Sequence, residues 1–339
     1  MKSTLSIDWL SFHGTFANIP PTGDYTMKQS EYGTKIFAEI YYYYFQGKQV
    51  ATVTTKPRST ALHSDLSIIK FDNWCLYIPN LFDFVNYVLG MIGFEVKGFS
   101  RLDLALDFNR FENGIDGHTL ISQFVKDEYL HNGRGKFAIS GVQKFSSIFE
   151  YLRLGSQSSP VRAYLYNKTT EMAEVKQKNY ITDLWRREGL DVTKPVWRLE
   201  FSLTSGAFDW VEEETGECVF QKGVDYTKLA FLLPLYQACV NKYFDFRKND
   251  NTKNKSRMQK VNLINLTKTA IIRNFPALQT SAGRREKILL HSIYKFVQRY
   301  DIKDEDRQTE VDNVLATLIR QTDLEEYFER KRDIWQSEE

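Results

Sequence analysis

The sequence predicts an α+β fold with a central antiparallel or mixed β-sheet, helices on one face, and a helical C-terminal region after it. Strand-like alternation of apolar residues dominates residues 1–205, and runs with helical spacing separate the strands. Beyond residue 205 the apolar residues recur at helical intervals. We therefore expect a first domain at 1–205 and a helical region at 206–339, with a polar, locally basic linker near 247–260.

The predicted elements follow in chain order. Alternation or short apolar runs predict strands at 5–9, 35–45, 49–55, 66–71, 74–78, 98–108 and 196–203, and a strand that carries Tyr166 in the stretch 155–171. A hairpin is predicted at 136–142 and 145–154. Helical spacing predicts helices at 81–92, 118–130, 169–188, 225–244, 284–300 and 308–332. Asn80 and Gly93 bound the first of these helices, and Pro234 is expected to kink the fourth.

Composition narrows the class of protein. The chain has 339 residues, of which 42% are hydrophobic and 26% charged, as in ordinary soluble proteins. Aromatic residues reach 14%, which favours β-structure or surfaces that stack on bases. The net charge is only +2, so any basic surface is local and total charge is no argument for nucleic acid.

Several classes of site lack a signal in this sequence. Cys75, Cys218 and Cys239 are scattered without metal-ligand spacing, which is typical of a reducing cytosol. The five histidines are isolated, and no P-loop, G-x-G-x-x-G or G-x-S-x-G motif occurs. No signal peptide and no apolar run of about 18 residues is seen. We expect a soluble cytoplasmic protein without a membrane partner.

The segment RLDLALD at 101–107 carries the first candidate site residues. Its leucines alternate with Arg101, Asp103, Ala105 and Asp107, so the two carboxylates share one face of a strand. They lie roughly 13 Å apart along an ideal strand, too far to bind one metal ion unless the strand bends. A solvated sheet face is the alternative interpretation, although the small Ala105 leaves room for a ligand above the strand.

Two further strands add ionisable groups. In VWRLEFSL, Arg198 and Glu200 share the face opposite Trp197, and a cross-strand ion pair would be the simpler explanation of them. In YLYNK, Tyr164, Tyr166 and Lys168 share a face. A strand tyrosine is usually a packing residue, because a phenol of pKa about 10 is barely ionised at neutral pH. A catalytic tyrosine would need a lysine or a metal ion nearby.

Three of these segments, taken in order, resemble the Rep_trans family of replication initiators, which includes rolling-circle plasmid initiators and related relaxases of conjugative elements. The matching segments are RLDLALDF (101–108), YNKTTE (166–171) and WRLE (197–200), with IDWLSF (7–12) as a weaker match. The resemblance covers residues 1–205. It implies a Rep nuclease-like fold.

The resemblance also implies roles for individual residues. Tyr166 matches the nicking nucleophile, and Lys168 and Glu171 match the same motif. Asp103, Asp107 and Glu200 match acidic residues that surround a divalent metal ion, Mg²⁺ or Mn²⁺. The family usually has an arginine two residues before the nucleophile, where this chain has Tyr164, so Tyr164 is the competing nucleophile. The cationic side chains expected on DNA phosphates are Arg101, Arg162, Lys168 and Arg198.

The function so implied is metal-dependent, sequence-specific DNA nicking and rejoining that initiates rolling-circle replication through a 5′-phosphotyrosine. The expected partners are single-stranded and origin DNA, a second copy of the chain in a homodimer, and a host helicase. Two alternatives stay open at this point. One is a relaxase for conjugative transfer of a mobile element, and the other is a non-catalytic nucleic-acid-binding protein of the same fold. A purely structural sheet domain is a third interpretation.

Overall fold

The computed structural model describes residues 1–273 apart from 61, 134, 144–146, 176, 222 and 266–270, together with positions 292, 309, 313 and 316. The chain divides into a compact unit Met1–Arg273 and a second unit Asn274–Glu339. The first unit therefore continues past residue 205. Apart from positions 292, 309, 313 and 316, the helices predicted at 284–300 and 308–332 lie outside the described residues.

The described part of the chain contains the following strands and helices. The strands are β1 (Ser3–Phe16), β2 (Tyr25–Gln29), β3 (Phe37–Phe45), β4 (Lys48–Pro57), β5 (Ser67–Phe71), β6 (Phe94–Phe108), β7 (Tyr129–His131), β8 (Phe137–Gln143), β9 (Ser147–Leu154), β10 (Val161–Asn167), β11 (Trp197–Thr204), β12 (Trp210–Glu212), β13 (Phe246–Lys248) and β14 (Ile271–Arg273). The helices are α1 (Leu81–Ile92), α2 (Gly117–Val125), α3 (Lys168–Glu174), α4 (Asn179–Arg187) and α5 (Leu229–Tyr243). Short 3₁₀ turns lie at Asn73–Tyr77, Ser205–Ala207 and Lys255–Arg257.

Ten of these strands form one antiparallel sheet, in the order β2-β3-β4-β5-β1-β6-β11-β10-β9-β8. The predicted α+β class with a central antiparallel sheet is thereby confirmed. Two small ribbons, β12 with β14 and β13 with β7, involve segments beyond residue 205. The predicted hairpin is present as β8 and β9.

One face of the sheet is apolar and carries the main core. The leucines of β6 (Leu102, Leu104, Leu106) and the alternate residues of β11 (Leu199, Phe201, Leu203) are all essentially inaccessible to solvent. Helices α1, α2 and α5 pack their buried residues into the same cluster. Burying each large apolar side chain contributes about 1.5–3 kcal/mol, so this face supplies most of the stability.

A smaller second core lies over one end of the opposite face. It is formed by α3, α4 and the segment that precedes β11, through Met172, Ile181, Trp185, Leu190 and Val196. The expected helices on one face are therefore α1, α2 and α5, while α3 and α4 cover part of the other. Most of that other face carries polar side chains, because residues alternate sides along each strand.

Local expectations differ from the structure at three places. The segment 74–78, expected to be extended, is part of the 3₁₀ turn Asn73–Tyr77. The helix expected at 118–130 ends at Val125, and residues 129–131 form β7. The helix expected at 169–188 is divided into α3 and α4. No helix in the described residues is long and apolar enough to cross a membrane.

Because one face of the sheet forms the core, the loss of stability caused by a Leu→Ala substitution should depend strongly on where the leucine lies. Leu104→Ala, in the fully buried centre of β6, should lower the free energy of unfolding by about 2–5 kcal/mol because it leaves a cavity. The matched variant Leu229→Ala removes a side chain that is 60% exposed and should change it by no more than about 0.5 kcal/mol. Urea denaturation measures both. Equal losses would contradict the assignment of this face to the core.

Candidate active site

The register of three neighbouring strands gathers the predicted site residues on the polar face. Across β10, β11 and β6 the paired positions form three rows: Tyr166, Arg198 and Asp107; Tyr164, Glu200 and Ala105; Arg162, Ser202 and Asp103. Side chains at directly paired positions lie about 4.5–5.5 Å apart at their Cβ atoms. Residues that are distant in sequence thus form one patch.

Arg198 lies at the centre of this patch and is fully buried. Its Nε lies 2.6 Å from Asp107 Oδ1, and its Nη2 donates to Asp107 Oδ2 at 2.7 Å. Trp185 Nε1 of α4 donates to the same Oδ2 at 2.7 Å. Burial alone would lower the pKa of Arg198, but Asp107 and Asp8 raise it well above its ordinary value. Arg198 therefore remains charged, and Asp107 has both oxygens occupied.

Asp8 completes this network from β1. The pairing of β1 with β6 shifts between Ile7 and Trp9, which makes Asp8 the extra residue of a β-bulge. Asp8 Oδ1 lies 2.6 Å from Arg198 Nη1 and accepts from Tyr77 Oη at 2.5 Å. Burial acts to raise the pKa of Asp8, yet Arg198 and Lys168 hold it well below the usual range. The Asp8 carboxylate is therefore ionised.

Tyr166 lies beside this network with its hydroxyl directed at a carboxylate. Its Oη donates to Glu200 Oε2 at 2.8 Å. Burial and then the charge of Glu200 raise the pKa of Tyr166 well above 10, while Arg198 acts in the opposite direction. Burial and the charges of Asp103 and Asp8 raise the pKa of Glu200 to about 8. The phenol is thus protonated, and its neighbour Glu200 can accept a proton only in its ionised form, which becomes the major form above about pH 8.

Lys168 lies close to the Tyr166 ring, as its predicted role requires. Its Nζ is 5.4 Å from the ring centroid and 2.7 Å from Glu171 Oε2. The side chain is buried at the start of α3, and burial followed by the charge of Arg198 lowers its pKa. Lys168 therefore contributes positive charge next to the phenol from inside the protein.

Asp103 lies at the other end of the patch, paired with Arg101. Arg101 makes two hydrogen bonds to the Asp103 carboxylate, one of them from Nε at 2.9 Å. The Arg101 guanidinium also lies over the Trp9 ring, with Cζ 4.2 Å from the ring centroid. Burial raises the pKa of Asp103 although Arg101 lowers it. Arg101 is 32% exposed, so a phosphate can reach it.

The arrangement does not fit a divalent cation. Asp107 is occupied by Arg198 and Trp185, Asp103 by Arg101, and Glu200 accepts from Tyr166. No group of three or more His, Cys, Asp or Glu side chains in the described part of the chain could hold a metal ion. Metal binding by Asp103, Asp107 and Glu200 therefore stays a prediction of the motif resemblance, and it would require these carboxylates to change partners.

The predicted DNA contacts differ in accessibility. Arg101 and Arg162 are partly exposed, whereas Arg198 is fully buried between two carboxylates. The contact of Arg198 with DNA phosphates therefore stays a prediction, and it would require Arg198 to leave its partners Asp107 and Asp8. Lys168 is likewise buried, so its predicted contact with phosphates is replaced by its place beside the phenol.

The competing tyrosine, Tyr164, has different neighbours. Its ring lies 5.9 Å from Arg162 Cζ and 6.3 Å from the ring of Tyr151, centroid to centroid. Arg153 of β9 pairs directly with Tyr164, and no hydrogen-bond partner for its buried Nε exists among the described residues. Tyr164 therefore has cations beside it and, although it is paired with Glu200, its hydroxyl makes no hydrogen bond to a carboxylate in the described part of the chain, unlike that of Tyr166.

Four residues of the site were missed by sequence reasoning. Arg153 lies in the predicted hairpin strand 145–154, but nothing in the sequence showed which strands were neighbours. Asp8 lies in the weaker motif match, and the bulge that directs it is not visible in the sequence. Tyr77 and Trp185 reach the patch from a turn and a helix, so strand periodicity could not identify them.

Comparison with known proteins adds one structural likeness. No protein-family model and no curated protein matches the chain. A solved structure of a rolling circle replication initiator protein from Geobacillus stearothermophilus is similar, with 16% sequence identity and a TM-score of 0.46. The match covers 76% of this chain and 92% of that chain. A likeness of this size does not transfer a function to this chain.

The buried network predicts a large effect of removing its cation. Arg198→Met leaves Asp107 and Asp8 buried without their partner, so the free energy of unfolding should fall by about 3–5 kcal/mol. The control Arg187→Met removes an arginine that is 65% exposed and should have an effect within about 0.5 kcal/mol. Chemical denaturation of both variants is the measurement. An Arg198→Met protein as stable as the wild type would show that the network is dispensable for folding.

Proposed function

We propose that this protein nicks and rejoins DNA strands with Tyr166 as the nucleophile, as an initiator of rolling-circle replication. The observation that carries the proposal is the 2.8 Å hydrogen bond from Tyr166 Oη to Glu200, on a sheet face that also holds Lys168 and Arg198. The resemblance of segments 101–108, 166–171 and 197–200 to nicking enzymes supports it independently. Neither observation depends on the other.

The proposed reaction is a transesterification at phosphorus. Tyr166 Oη attacks a backbone phosphate while its proton passes to the ionised form of Glu200, which lies within hydrogen-bond distance and whose population rises as the pH approaches about 8. The bond from phosphorus to the 3′-oxygen breaks, and that oxygen takes up a proton. The products are a 5′-phosphotyrosine and a free 3′-hydroxyl. The reverse attack by a 3′-hydroxyl rejoins the strand and restores the phenol, so no nucleotide cofactor is consumed.

The buried cations supply the electrostatic part of this mechanism. Since burial and Glu200 raise the pKa of the phenol, an isolated Tyr166 would be a poor nucleophile. Proton transfer to Glu200 during the attack avoids a free phenolate. The negative charge that then develops on the phenol oxygen lies near the charges of Arg198 and Lys168, which are held in place by ion pairs.

Other parts of the proposal rest on the motif resemblance alone. They are the requirement for Mg²⁺ or Mn²⁺, recognition of an origin sequence, the homodimer and the helicase partner. Because each predicted carboxylate ligand already has a protein partner, the proposed chemistry assigns no step to a metal ion. A relaxase of a mobile element would use the same chemistry on a transfer origin.

The identity of the nucleophile is tested by two tyrosine variants. Tyr166→Phe should abolish the covalent adduct with labelled single-stranded origin DNA, because it removes the attacking oxygen. Tyr164→Phe should retain the adduct. The assay is denaturing gel electrophoresis after incubation with Mg²⁺ or Mn²⁺, followed by mapping of the modified peptide. An adduct that persists in Tyr166→Phe and is lost in Tyr164→Phe would assign the chemistry to Tyr164.

The role of Glu200 is tested by Glu200→Gln, which cannot accept the phenol proton. Single-turnover nicking should slow by about 10²–10⁴-fold. The control Glu174→Gln alters an exposed carboxylate in α3 and should nick at the wild-type rate. Higher Mn²⁺ concentrations should not restore Glu200→Gln. Restoration by Mn²⁺ would instead identify Glu200 as a metal ligand, as the resemblance implies.

A further inference from the structure

A row of polar and basic side chains crosses the outer half of the sheet on the face that carries Tyr166. Paired positions on six adjacent strands define what we call the basic row: Arg101 (β6), Ser11 (β1), Lys70 (β5), Thr52 (β4), Tyr42 (β3) and Lys28 (β2). The row contains three cations and no carboxylate. In a chain with 45 basic and 43 acidic residues, this is a local excess of positive charge.

Trp9 lies beside the inner end of the row, where two cations of the row contact its ring. The bulge at Asp8 places Trp9 opposite Asp103, and therefore on the polar face beside Ser11. Lys70 Nζ lies 3.8 Å from the centroid of the Trp9 ring, and Arg101 Cζ lies 4.2 Å from it. Both distances are within the range of favourable cation–π contact. Two like charges are thus held close to one indole.

The two cations differ in how they are neutralised. Arg101 is paired with Asp103, whereas Lys70 forms no ion pair with a carboxylate among the described residues. Burial lowers the pKa of Lys70, Asp72 acts to raise it, and the charge of Arg101 lowers it further. An anion next to Lys70 would reduce this repulsion. The geometry therefore favours a phosphate at this position.

The outer end of the row repeats the combination of ring and cation. Lys28 is exposed, and its Nζ lies 5.6 Å from the centroid of the Tyr44 ring. Tyr42 and Tyr44 point to this face and are only half-buried, while Tyr41 and Tyr43 between them enter the core. Aromatic rings interleaved with cations are the combination on which single-stranded nucleic acids bind, through stacked bases and paired phosphates.

We propose that the basic row binds the single-stranded DNA that continues from the phosphate at Tyr166, with phosphates on Lys70 and Lys28 and bases on Tyr42 and on the adjacent rings of Trp9 and Tyr44. This inference rests on the proposed function, since Arg101 belongs to both the row and the active-site patch. From β10 to β2 the sheet spans seven strand intervals, about 34 Å at ~4.8 Å each. That length corresponds to about ten stacked nucleotides at ~3.4 Å.

The test measures binding of a fluorescent oligodeoxythymidine of about 12 nucleotides to the full chain. Lys70→Gln and Lys28→Gln should each weaken binding about fivefold and reduce the slope of log K against log salt by about 0.7. The control Lys126→Gln, an exposed lysine that follows α2 on the apolar side of the sheet, should leave both unchanged. Lys28 is exposed, so its variant should fold even if Lys70→Gln does not.

The outcomes separate this inference from the proposed function. The proposal that the basic row binds DNA would be overturned if folded Lys28→Gln and Lys70→Gln bound the oligonucleotide with the affinity and the salt slope of the wild type. An equal loss of affinity for a duplex of the same length would overturn the assignment to a single strand. If the row variants bind normally but Tyr166 still forms its adduct, only the row is wrong. If the row variants lose binding but no adduct forms in the wild type, only the nicking activity is wrong.

Discussion

The buried pair between Arg198 and Asp107 is the interaction on which the candidate site depends. Enclosing two charges costs several kcal/mol of desolvation each, which is recovered only when the remaining hydrogen-bonding positions are filled. Trp185 donates to Asp107, Tyr77 accepts from Arg198 Nη2 at 3.3 Å, and Asp8 forms a second ion pair with Arg198 at 2.6 Å. The pair thereby connects β11 and β6 to α4 and to the bulge of β1. As a result Tyr166 lies among charges whose positions are set by the fold, and water has little part in screening them.

The two faces of the sheet have different roles: one forms the core that stabilises the fold, and the other carries the candidate site. The same strands that bury Leu104, Leu199 and Phe201 on one side present Asp103, Arg198 and Glu200 on the other. Helices α1, α2 and α5 close the apolar face, which holds the strands rigid. Ionisable side chains on rigid strands keep their mutual distances better than side chains on loops. The polar face can therefore carry several charged groups at fixed spacing.

Alternation predicted this division well where the strands are regular. In segments 101–107 and 197–201 the assignment of residues to faces from the sequence matches the structure, because a period of two is a local property of the backbone. It was wrong at Trp9, which alternation placed with Leu5 and Ile7. A single extra residue in the bulge shifts the phase of every residue after it, and no feature of residues 5–9 shows the insertion.

The roles of individual charged residues were less predictable than their faces. Arg198 was expected on DNA and is enclosed, while Asp8 was not expected at the site and is part of it. The enclosure of Arg198 and the presence of Asp8 at the site both follow from the bulge and the strand order, because these bring together side chains that are far apart in the sequence. The resemblance to nicking enzymes singled out Tyr166, but it implied a metal-binding role for Glu200 and gave no sign that Glu200 accepts a hydrogen bond from the Tyr166 hydroxyl.

By itself, the sequence determined the α+β class, the apolar face of the sheet and the position of Asp103, Asp107, Arg198 and Glu200 on the opposite face, since each depends on local periodicity. Only the tertiary structure decided which of these residues are partners. Arg198 pairs with Asp107, 91 positions away, because β11 lies beside β6, and Asp8 joins them because β1 lies on the other side of β6. That strand order is set by packing of the apolar face as a whole, so no local pattern reveals it.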